Sequence, residues 1–293
     1  MRWLVTGSAG LLGRDVVAVL GGVGEQVSAA TREDLDITDA TAVDAAVRGQ
    51  DLVVNCAGWT AVDAAEADEA AAFAANAVGA GLLARAARRH GARLVHVSTD
   101  YVFDGTAREP YPEDHPLAPV SAYGRSKAAG EWAVRAEHPD GHLVLRTAWL
   151  YGAGGACFPK TIAALAEERG SVDVVTDQVG QPTWSRDVAE LVHRMVVQGV
   201  PAGIYHAASA GQASWFQLAQ EVVRAVGLDA GIVHPTTTDR SARRAPRPSY
   251  SVLGGRALAA AGVAGIGPWR ERWARAAEDV LGQRSPSSSS PSR

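Results

Sequence analysis

The chain has 293 residues, of which 47% are hydrophobic and 20% are charged, and its formal net charge is −4. This ordinary globular composition excludes a wholly disordered chain. The negative charge, with a pI near 6.1, excludes a protein that is drawn to nucleic acid or to an anionic membrane by its overall charge. At roughly 150 residues per domain, we expect one large domain or two modest ones.

The chain shows no sequence signal for export or membrane insertion. Its N-terminal segment is interrupted by glycines, so we expect no signal peptide. No stretch approaches the roughly 18 unbroken apolar residues of a membrane span. The two cysteines, Cys56 and Cys157, cannot build a disulfide framework, and they are typical of a reducing compartment. We therefore predict a cytoplasmic protein with neither nucleic acid nor a membrane as a partner.

Short apolar runs alternate with alanine-rich stretches through the first half of the chain. The β-rich runs predict strands at residues 2–6, 27–30, 52–55, 94–97 and 143–146. Because alanine is the best helix former, the stretches between them predict helices, notably at residues 11–20, 64–89 and 122–136. Strands that alternate with helices of ten or more residues favour parallel pairing with helices on both faces of the sheet.

The second half has a looser pattern. It predicts a strand at residues 172–175 and helices at residues 158–169, 185–197 and 269–281, with Ser185 as the N-cap of its helix. Ser214 and Gln217 form an S-x-x-Q capping box before another apolar run, which predicts a helix there. A loop is expected at residues 239–250, where four arginines either face solvent or clamp a nucleotide diphosphate: Arg240, Arg243, Arg244 and Arg247.

These elements predict an α/β fold with a doubly wound, Rossmann-like parallel sheet and a smaller α/β C-terminal domain. We expect the dinucleotide-binding domain to hold residues 1–150 and also 172–205. Residues 151–171 and 206–283 would then form a substrate-binding domain. The serine-rich segment 284–293 has nothing to bury and is expected to be a disordered tail.

Gly7, Gly10 and Gly13 form the pattern G-x-x-G-x-x-G between the first predicted strand and helix. Glycines here permit a tight turn, a close approach of backbone to a pyrophosphate and close packing of the helix on the strand. The helix N-terminus then offers N–H groups and a partial positive charge to the phosphates. An ordinary tight turn is the alternative, but the place of the motif favours a dinucleotide site.

Arg32 follows the second predicted strand, where an arginine accommodates the 2′-phosphate of NADP and an acidic residue would hold the ribose of NAD. Acidic residues stand close by, so the signal is mixed, and a solvated surface arginine is the alternative reading. We predict NADPH as the cofactor, with NADH as the other possibility.

Tyr123 and Lys127 are four residues apart at the start of a predicted helix, so their side chains share one helical face. A phenol, with a pKa of about 10, is protonated at neutral pH and can donate a proton to an oxygen that receives hydride. A neighbouring ammonium stabilises the resulting tyrosinate. A hydroxyl of Thr99, just beyond the fourth predicted strand, can give the same oxygen a second hydrogen bond. Alone, Y-x-x-x-K occurs by chance in many helices.

Together these elements resemble the extended short-chain dehydrogenase/reductase superfamily. The run from Ser98 to Gly105, S-T-D-Y-V-F-D-G, resembles more closely the signature of dTDP-4-dehydrorhamnose reductases. Other stretches are similar to that family in the same order, and the resemblance spans residues 1 to about 282. They are Thr60-Ala61-Val62-Asp63, Tyr123-Gly124 with Lys127, Arg146-Thr147-Ala148-Trp149, Asp177-Gln178 with Gly180 and Pro182-Thr183, and Arg247-Pro248 with Ser251.

The resemblance implies roles for individual residues. The catalytic trio would be Thr99, Tyr123 and Lys127. The cofactor would contact Gly7, Gly10, Leu11, Leu12, Gly13, Arg32, Asp36, Ile37, Ala57, Gly58, Trp59 and Thr60, together with Tyr123 and Lys127. The substrate would contact Thr99, Asp100, Tyr101, Trp149 and Arg247, although Trp149 could instead be a core or interface residue.

The resemblance implies NADPH-dependent reduction of the C4 keto group of a nucleotide-linked 4-keto-6-deoxyhexose, most simply dTDP-4-dehydro-L-rhamnose to dTDP-L-rhamnose. Trp59 stands where the family usually has tyrosine or histidine, and Ala148 replaces a common serine. These departures keep open a 4-ketoreductase for another activated deoxysugar. A non-catalytic regulatory subunit of the same fold is a third alternative. We predict no metal site, and a monomer or homodimer.

Overall fold

The computed structural model describes residues 1–240 and 244–282. In chain order its strands are β1 (Arg2–Thr6), β2 (Gln26–Ala30), β3 (Leu52–Asn55), β4 (Arg93–Thr99), β5 (His142–Thr147), β6 (Leu150–Tyr151), β7 (Val172–Val175), β8 (Val179–Gly180), β9 (Thr183–Trp184), β10 (Gly203–His206), β11 (Ser209–Ala210), β12 (Ala213–Ser214), β13 (Val233–Thr236) and β14 (Ile266–Pro268).

The α-helices are α1 (Leu11–Gly22), α2 (Ala40–Val47), α3 (Val62–Ala65), α4 (Glu69–Phe73), α5 (Ala80–His90), α6 (Ala122–Glu137), α7 (Phe158–Arg169), α8 (Ser185–Val197), α9 (Trp215–Ala225), α10 (Arg256–Ala260) and α11 (Trp269–Leu281). A π-helical turn, Ala74–Gly79, joins α4 to α5. Short 3₁₀ turns occur at Asp100–Val102, Ala230–Ile232 and Thr238–Arg240.

Six strands form one parallel sheet in the spatial order β10, β5, β4, β3, β1, β2. The predicted doubly wound parallel sheet is confirmed. The chain runs from β1 outward to β2 and then returns past β1 to β3, so the strand order reverses between β1 and β3. In open parallel sheets, ligands bind beyond the carboxyl ends of the strands at such a reversal.

Successive side chains of each central strand pack on opposite faces of this sheet. Trp3 and Val5 lie in the core beneath α1 and α8, whereas Leu4 lies in the core beneath α2 and α5. β3 and β5 divide their buried residues between the same two cores. Burial on both faces explains why these strands are continuous apolar runs rather than alternating ones.

Besides the two cores on the faces of the sheet, the smaller domain has its own core, called the second core below, which holds residues of α7, β7, α9, β13 and α11. β7 pairs in parallel with β13, and its Val172 and Val174 are buried there. The sequence assigns residues 172–205 to the dinucleotide-binding domain. β7 lies outside the large sheet, however, because its partner strand comes from the C-terminal third. The predicted assignment of α10 to the substrate-binding domain differs as well, because Leu258 of α10 packs in the sheet core beneath α1 and α8. α8 and β10, within the predicted block, do pack on or join the sheet.

The predicted N-terminal caps of α8 and α9 have different outcomes in the structure. Ser185 begins α8, but Trp184 is its N-cap, so the predicted cap is wrong. The Ser185 hydroxyl instead donates to the carbonyl oxygen of Tyr151 at 3.1 Å and to the carboxylate of Asp15. It therefore ties α8 to neighbouring elements rather than to its own first turn. The capping box of α9 is confirmed, because Ser214 and Gln217 bond each other's backbone N–H groups.

The predicted helix at residues 64–89 is interrupted after α3 and contains the π-helical turn. The segment Glu69–His90 is long and apolar enough to cross a membrane by length and composition alone, yet half of its apolar window is buried inside the fold. Core helices commonly share this property, because a helix that is apolar all round is usually buried.

The predicted loop at 239–250 has no regular structure from residue 244 to 249, but its first two residues close a 3₁₀ turn. Residues 241–243 lie outside the described part of the chain, and so does the predicted disordered tail at 284–293. Tyr250 forms an isolated bridge with Val179, which brings the end of this segment to β8.

A buried ion pair fastens α6 to the sheet. Glu131 on α6 and Arg146 on β5 are 0% and 1% exposed, and two hydrogen bonds of 2.9 and 2.7 Å join them. Ser98 on β4 donates to the same carboxylate, and Arg146 also donates to the carbonyl oxygen of Glu113. Every strong donor of the pair is thus satisfied, as a buried charge requires.

We expect Arg146→Ala to lower the free energy of unfolding by roughly 3–5 kcal/mol, because Glu131 would be left as an unpaired buried charge. Urea denaturation followed by circular dichroism measures this. Arg85→Ala is the matched control: it removes a surface pair with Glu137 and should cost less than about 1 kcal/mol. Equal losses in the two variants would contradict the assigned role of the buried pair.

Candidate active site

A cavity of about 850 Å³ lies beyond the carboxyl ends of β1, β3, β4 and β5, where the strand order reverses. Its walls come from the glycine loop before α1, the segments after β2 and β3, the S-T-D run after β4, the start of α6 and the residues after β5. Trp215, the first residue of α9, closes it from the side of the second core.

The glycine loop passes so close to the segment after β3 that Gly7 has no room for a side chain. Gly7 has a φ of +65°, and a Cβ there would lie 2.6 Å from the backbone nitrogen of Ala57. A Cβ on Gly13 would lie 2.2 Å from the carbonyl oxygen of Gly7. Gly7 therefore provides a left-handed turn, and Gly13 allows α1 to start directly against the loop.

The N-terminus of α1 fits a bound diphosphate. Gly10 is its N-cap and has no side chain to satisfy the first-turn N–H groups, and no acidic residue lies in the first turn. Gly10, Leu11, Leu12 and Gly13 all line the cavity. Free N–H groups at a helix start, with the positive end of the helix dipole, attract phosphate oxygens.

The segment after β2 forms the next wall. Arg32, Asp36 and Ile37 line the cavity, together with Leu35 and Thr38, which the sequence did not single out. The carboxylate of Asp36 accepts hydrogen bonds from the backbone and hydroxyl of Thr38, at 2.9 and 2.7 Å. These bonds, with a smaller contribution from Arg32, lower the pKa of Asp36. Arg32 is exposed beside it, as a group that meets a charged ligand from solvent should be.

Asn76 holds the segment after β3 in place. Its amide accepts from the backbone nitrogen of Trp59 at 2.8 Å and donates to the Trp59 carbonyl at 3.0 Å. It also donates to Ser126, whose hydroxyl donates to the Tyr123 carbonyl. Asn76 lies in the π-helical turn, and such turns occur frequently at functional sites. Ala57, Gly58, Trp59 and Thr60 line the cavity as a result.

Tyr123 and Lys127 both line the cavity from the first turns of α6, whose N-cap Ser121 accepts from the backbone of Gly124. Lys127 is 6% exposed, and its ammonium donates to the carbonyl oxygen of Val97 on β4. The Tyr123 ring meets the Tyr101 ring edge-on at 5.7 Å. The Thr99 hydroxyl lies beside the phenol, within reach of a hydrogen bond.

Burial dominates the proton equilibria of this pair. It raises the pKa of Tyr123 to about 12, although the hydrogen bond from Thr99 lowers it, and the charge of Asp100 raises it further. Burial lowers the pKa of Lys127 to about 8, partly offset by Glu131. At neutral pH the phenol therefore holds its proton and the amine is mostly ammonium, which are the states that proton donation needs.

Asp100 is 2% exposed at the cavity wall. One carboxylate oxygen accepts from the Thr99 hydroxyl at 2.9 Å, whereas the other makes no well-formed hydrogen bond among the described residues. Burial raises the pKa of this carboxyl to about 6, although Ser251 lies near enough to lower that pKa in part. An acceptor that is buried beside a cavity and lacks a partner suits a ligand hydroxyl.

The structure does not bring Arg247 into the cavity. Its guanidinium donates to Asp63 at 2.8 Å, and the backbone nitrogen of Ala245 donates to the same carboxylate. Arg247 is 6% exposed in its side chain and lies 5.9 Å from the Tyr101 ring centre. It packs against Tyr101 and does not line the cavity, so the predicted direct contact with substrate does not fit this geometry.

Among residues 1–240 and 244–282, no group of three or more histidine, cysteine, aspartate or glutamate side chains could hold a metal ion. Both cysteines are free thiols, and burial raises the pKa of Cys56 to about 12, so this thiol keeps its proton at neutral pH.

The model of the family described as RmlD substrate binding domain matches residues 1–281. The chain belongs to this family. A dTDP-4-keto-6-deoxy-D-glucose reductase from Streptomyces niveus is 49% identical over 92% of this chain and 93% of its own. A dTDP-4-dehydrorhamnose reductase from Streptomyces griseus is 47% identical over 92% and 90%.

Solved structures agree. A dTDP-4-dehydrorhamnose reductase from Bacillus anthracis str. Ames, crystallised in complex with NADP, is 34% identical with a TM-score of 0.90, covering 94% of this chain and 98% of its own. The predicted resemblance is thereby confirmed, since this RmlD-family chain and its relatives match over nearly their full length.

All but one of the predicted site residues line a single cavity, Arg247 being the exception. Sequence reasoning missed Asn76, Ser126 and Glu131, which hold the cavity walls through buried hydrogen bonds. It also missed Trp215, which enters the wall from the second core. The S-x-x-Q capping box directly before α9 marks where Trp215 begins its helix, but nothing nearby signals that the ring faces a ligand.

Proposed function

We propose that the chain is an NADPH-dependent reductase that converts the C4 keto group of a nucleotide-activated 4-keto-6-deoxyhexose to an alcohol. The preferred substrate is dTDP-4-dehydro-L-rhamnose, and the product is dTDP-L-rhamnose. One observation carries the proposal: Tyr123, Lys127 and Thr99 line the same cavity as the glycine loop.

The cofactor would be held along the strand ends. The N-terminus of α1 would bind its diphosphate, and Arg32 would bind the 2′-phosphate. Lys127 would hold a ribose hydroxyl, while Trp59 and Thr60 form the wall beside it. When bound there, NADPH supplies the hydride that C4 receives.

The chain's own residues provide the proton. Tyr123 donates its phenolic proton to the C4 oxygen as negative charge develops on that oxygen. The Lys127 ammonium then stabilises the tyrosinate. The Thr99 hydroxyl donates to Asp100 in this structure, and it would turn its one proton to the same C4 oxygen when the sugar is bound. Asp100 would then offer its carboxylate oxygens to a sugar hydroxyl.

A second candidate substrate is dTDP-4-keto-6-deoxy-D-glucose, in a pathway to a glycosylated natural product. The relative from Streptomyces niveus, named for that substrate, favours it, and so does the departure at Trp59, which lines the cavity. Product stereochemistry by NMR, from both 4-keto sugars, separates the two substrates. The regulatory-subunit alternative fails if NADPH absorbance falls when either sugar is added.

We further propose that the enzyme works in the cytoplasm as a monomer or homodimer, with the nucleotide sugar as its partner and no metal. The two free thiols suit a reducing compartment.

Tyr123→Phe removes the acid and leaves the ring, so turnover should fall by about 10²–10⁴-fold. The dissociation constant for NADPH, measured by fluorescence titration, should stay within about twofold of the parent. Tyr205→Phe is the control, since that phenol bonds the Pro201 carbonyl away from the cavity. Parental turnover in Tyr123→Phe would overturn the assignment of the acid.

Reduction should slow as the pH rises through about 8, because Lys127 loses its proton there and no longer stabilises the tyrosinate. A profile of kcat against pH measures this alkaline limb. Lys127→Met should be slow at every pH and should lack the limb. A limb of unchanged position in Lys127→Met would assign it to another group.

Arg32→Ala should raise the KM for NADPH by at least about fivefold, because a charge-assisted bond to the 2′-phosphate is lost. The KM for NADH should change by less than about twofold, since NADH has no such phosphate. Arg48→Ala is the control, because Arg48 is exposed and forms its ion pair with Asp44 of α2. Equal effects on the two cofactors would contradict the role of Arg32.

A further inference from the structure

Two tryptophans form part of the cavity wall. The indole rings of Trp149 and Trp215 are stacked face to face, with ring centres 3.6 Å apart and planes inclined by 6°. Both line the cavity, Trp149 from the end of β5 and Trp215 from the start of α9. The stack therefore joins the sheet domain to the second core across the site.

Trp149 has a backbone conformation that a large side chain rarely adopts. Its φ is +45°, and among the described residues it is the sole non-glycine with a positive φ. Such outliers persist only where surrounding contacts hold them, and they cluster at functional sites. A specific set of contacts must therefore hold Trp149.

The contacts of the two indoles involve Asp177, Gln178 and Gly180. The sequence resemblance includes these residues but implies no role for them. Gln178 accepts from the Trp215 indole N–H at 3.1 Å and donates to Thr238 at 3.0 Å, and Asp177 in turn binds Thr238. Gly180 lies against the Trp149 ring, since a Cβ there would be 2.4 Å from it. The Asp177-Gln178-x-Gly180 run thus fixes one indole and leaves room for the other.

We propose that Trp215 is a positioning residue that sets sugar affinity by holding the Trp149 ring in its strained place at the cavity wall. This rests on the proposed function, in which Trp149 contacts the nucleotide sugar. Without the Trp215 platform, Trp149 relaxes, and only a fraction of molecules present the wall that the sugar needs. The apparent dissociation constant rises as the inverse of that fraction. The glycine loop and Tyr123 lie on other walls and are not moved.

Trp215→Ala should raise the KM for the dTDP-4-keto sugar about tenfold, while kcat and the KM for NADPH stay within about twofold. Trp215→Phe keeps a ring to stack on and should recover most of the affinity. Gly180→Ala should also raise the sugar KM, because the added Cβ would lie 2.4 Å from the Trp149 ring and would push that ring from its place at the cavity wall. Trp132→Ala is the matched control, as that indole is 57% exposed on α6.

Circular dichroism tests the stack without turnover. Two indoles this close couple their ultraviolet transitions, so their indole bands differ from those of two separate indoles. This difference should be lost in both Trp149→Ala and Trp215→Ala and kept in Trp132→Ala. Indole bands in Trp149→Ala and Trp215→Ala that differ from the parent only by one isolated indole would overturn the stack on which the positioning role depends.

The two kinetic failures are distinct. If the parent reduces the sugar and Trp215→Ala has the parental sugar KM, the inference is wrong while the proposed function stands. An equal rise in the NADPH KM would also overturn it, because it would indicate general loosening. If the parent reduces no 4-keto sugar, the proposed function fails, and the circular dichroism experiment still decides whether the two indoles form the stack on which the inference rests.

Discussion

The ion pair between Glu131 and Arg146 determines where the helix with the proposed acid lies. It joins α6 to β5 in a region with no solvent access, and Ser98 links the same carboxylate to β4. Glu131 is one turn beyond Lys127, which is itself one turn beyond Tyr123. The position of the phenol above the strand ends therefore depends on an electrostatic contact that lies below it in the core. A buried pair of this kind adds little net stability but makes other arrangements costly.

The same dry environment shapes the chemistry. Burial moves the pKa of Tyr123 up and that of Lys127 down, which keeps the acid protonated but weakens the group that stabilises its conjugate base. The two shifts widen the gap between the pKa of the acid and that of the neighbouring cation, and the carboxylate of Glu131 limits this by partly offsetting the desolvation of Lys127. One buried carboxylate thus contributes both to the placing of the helix and to the charge of its lysine.

The parts of this molecule that local sequence determines could be predicted well. The glycine loop, the Tyr123–Lys127 spacing and the strand–helix alternation depend on a few neighbouring residues, and each appears in the structure as expected. Contacts between distant residues could not be predicted in this way. Arg247 is turned from the cavity by Asp63, which is far from it in the chain, and β7 is drawn to the second core by β13. The Ser185 hydroxyl likewise donates to Asp15, which is far from it in the chain, and does not cap its own helix.

The wide turn that contains Asn76 has a consequence for how this fold tolerates change in length. An α-helix advances by about 100° per residue, and a π-helical turn accommodates one residue more than an α-helical turn. Deleting one residue between positions 74 and 79 would return this turn to α-helical winding, and α4 and α5 would keep their orientation relative to each other. The alanine face of α5 could then stay in its groove against the sheet, but the Asn76 amide would swing away from Trp59 and Ser126. The extra residue reconciles a packed helix with an inward-pointing amide, so shortening this segment should be far less tolerated than shortening a surface loop.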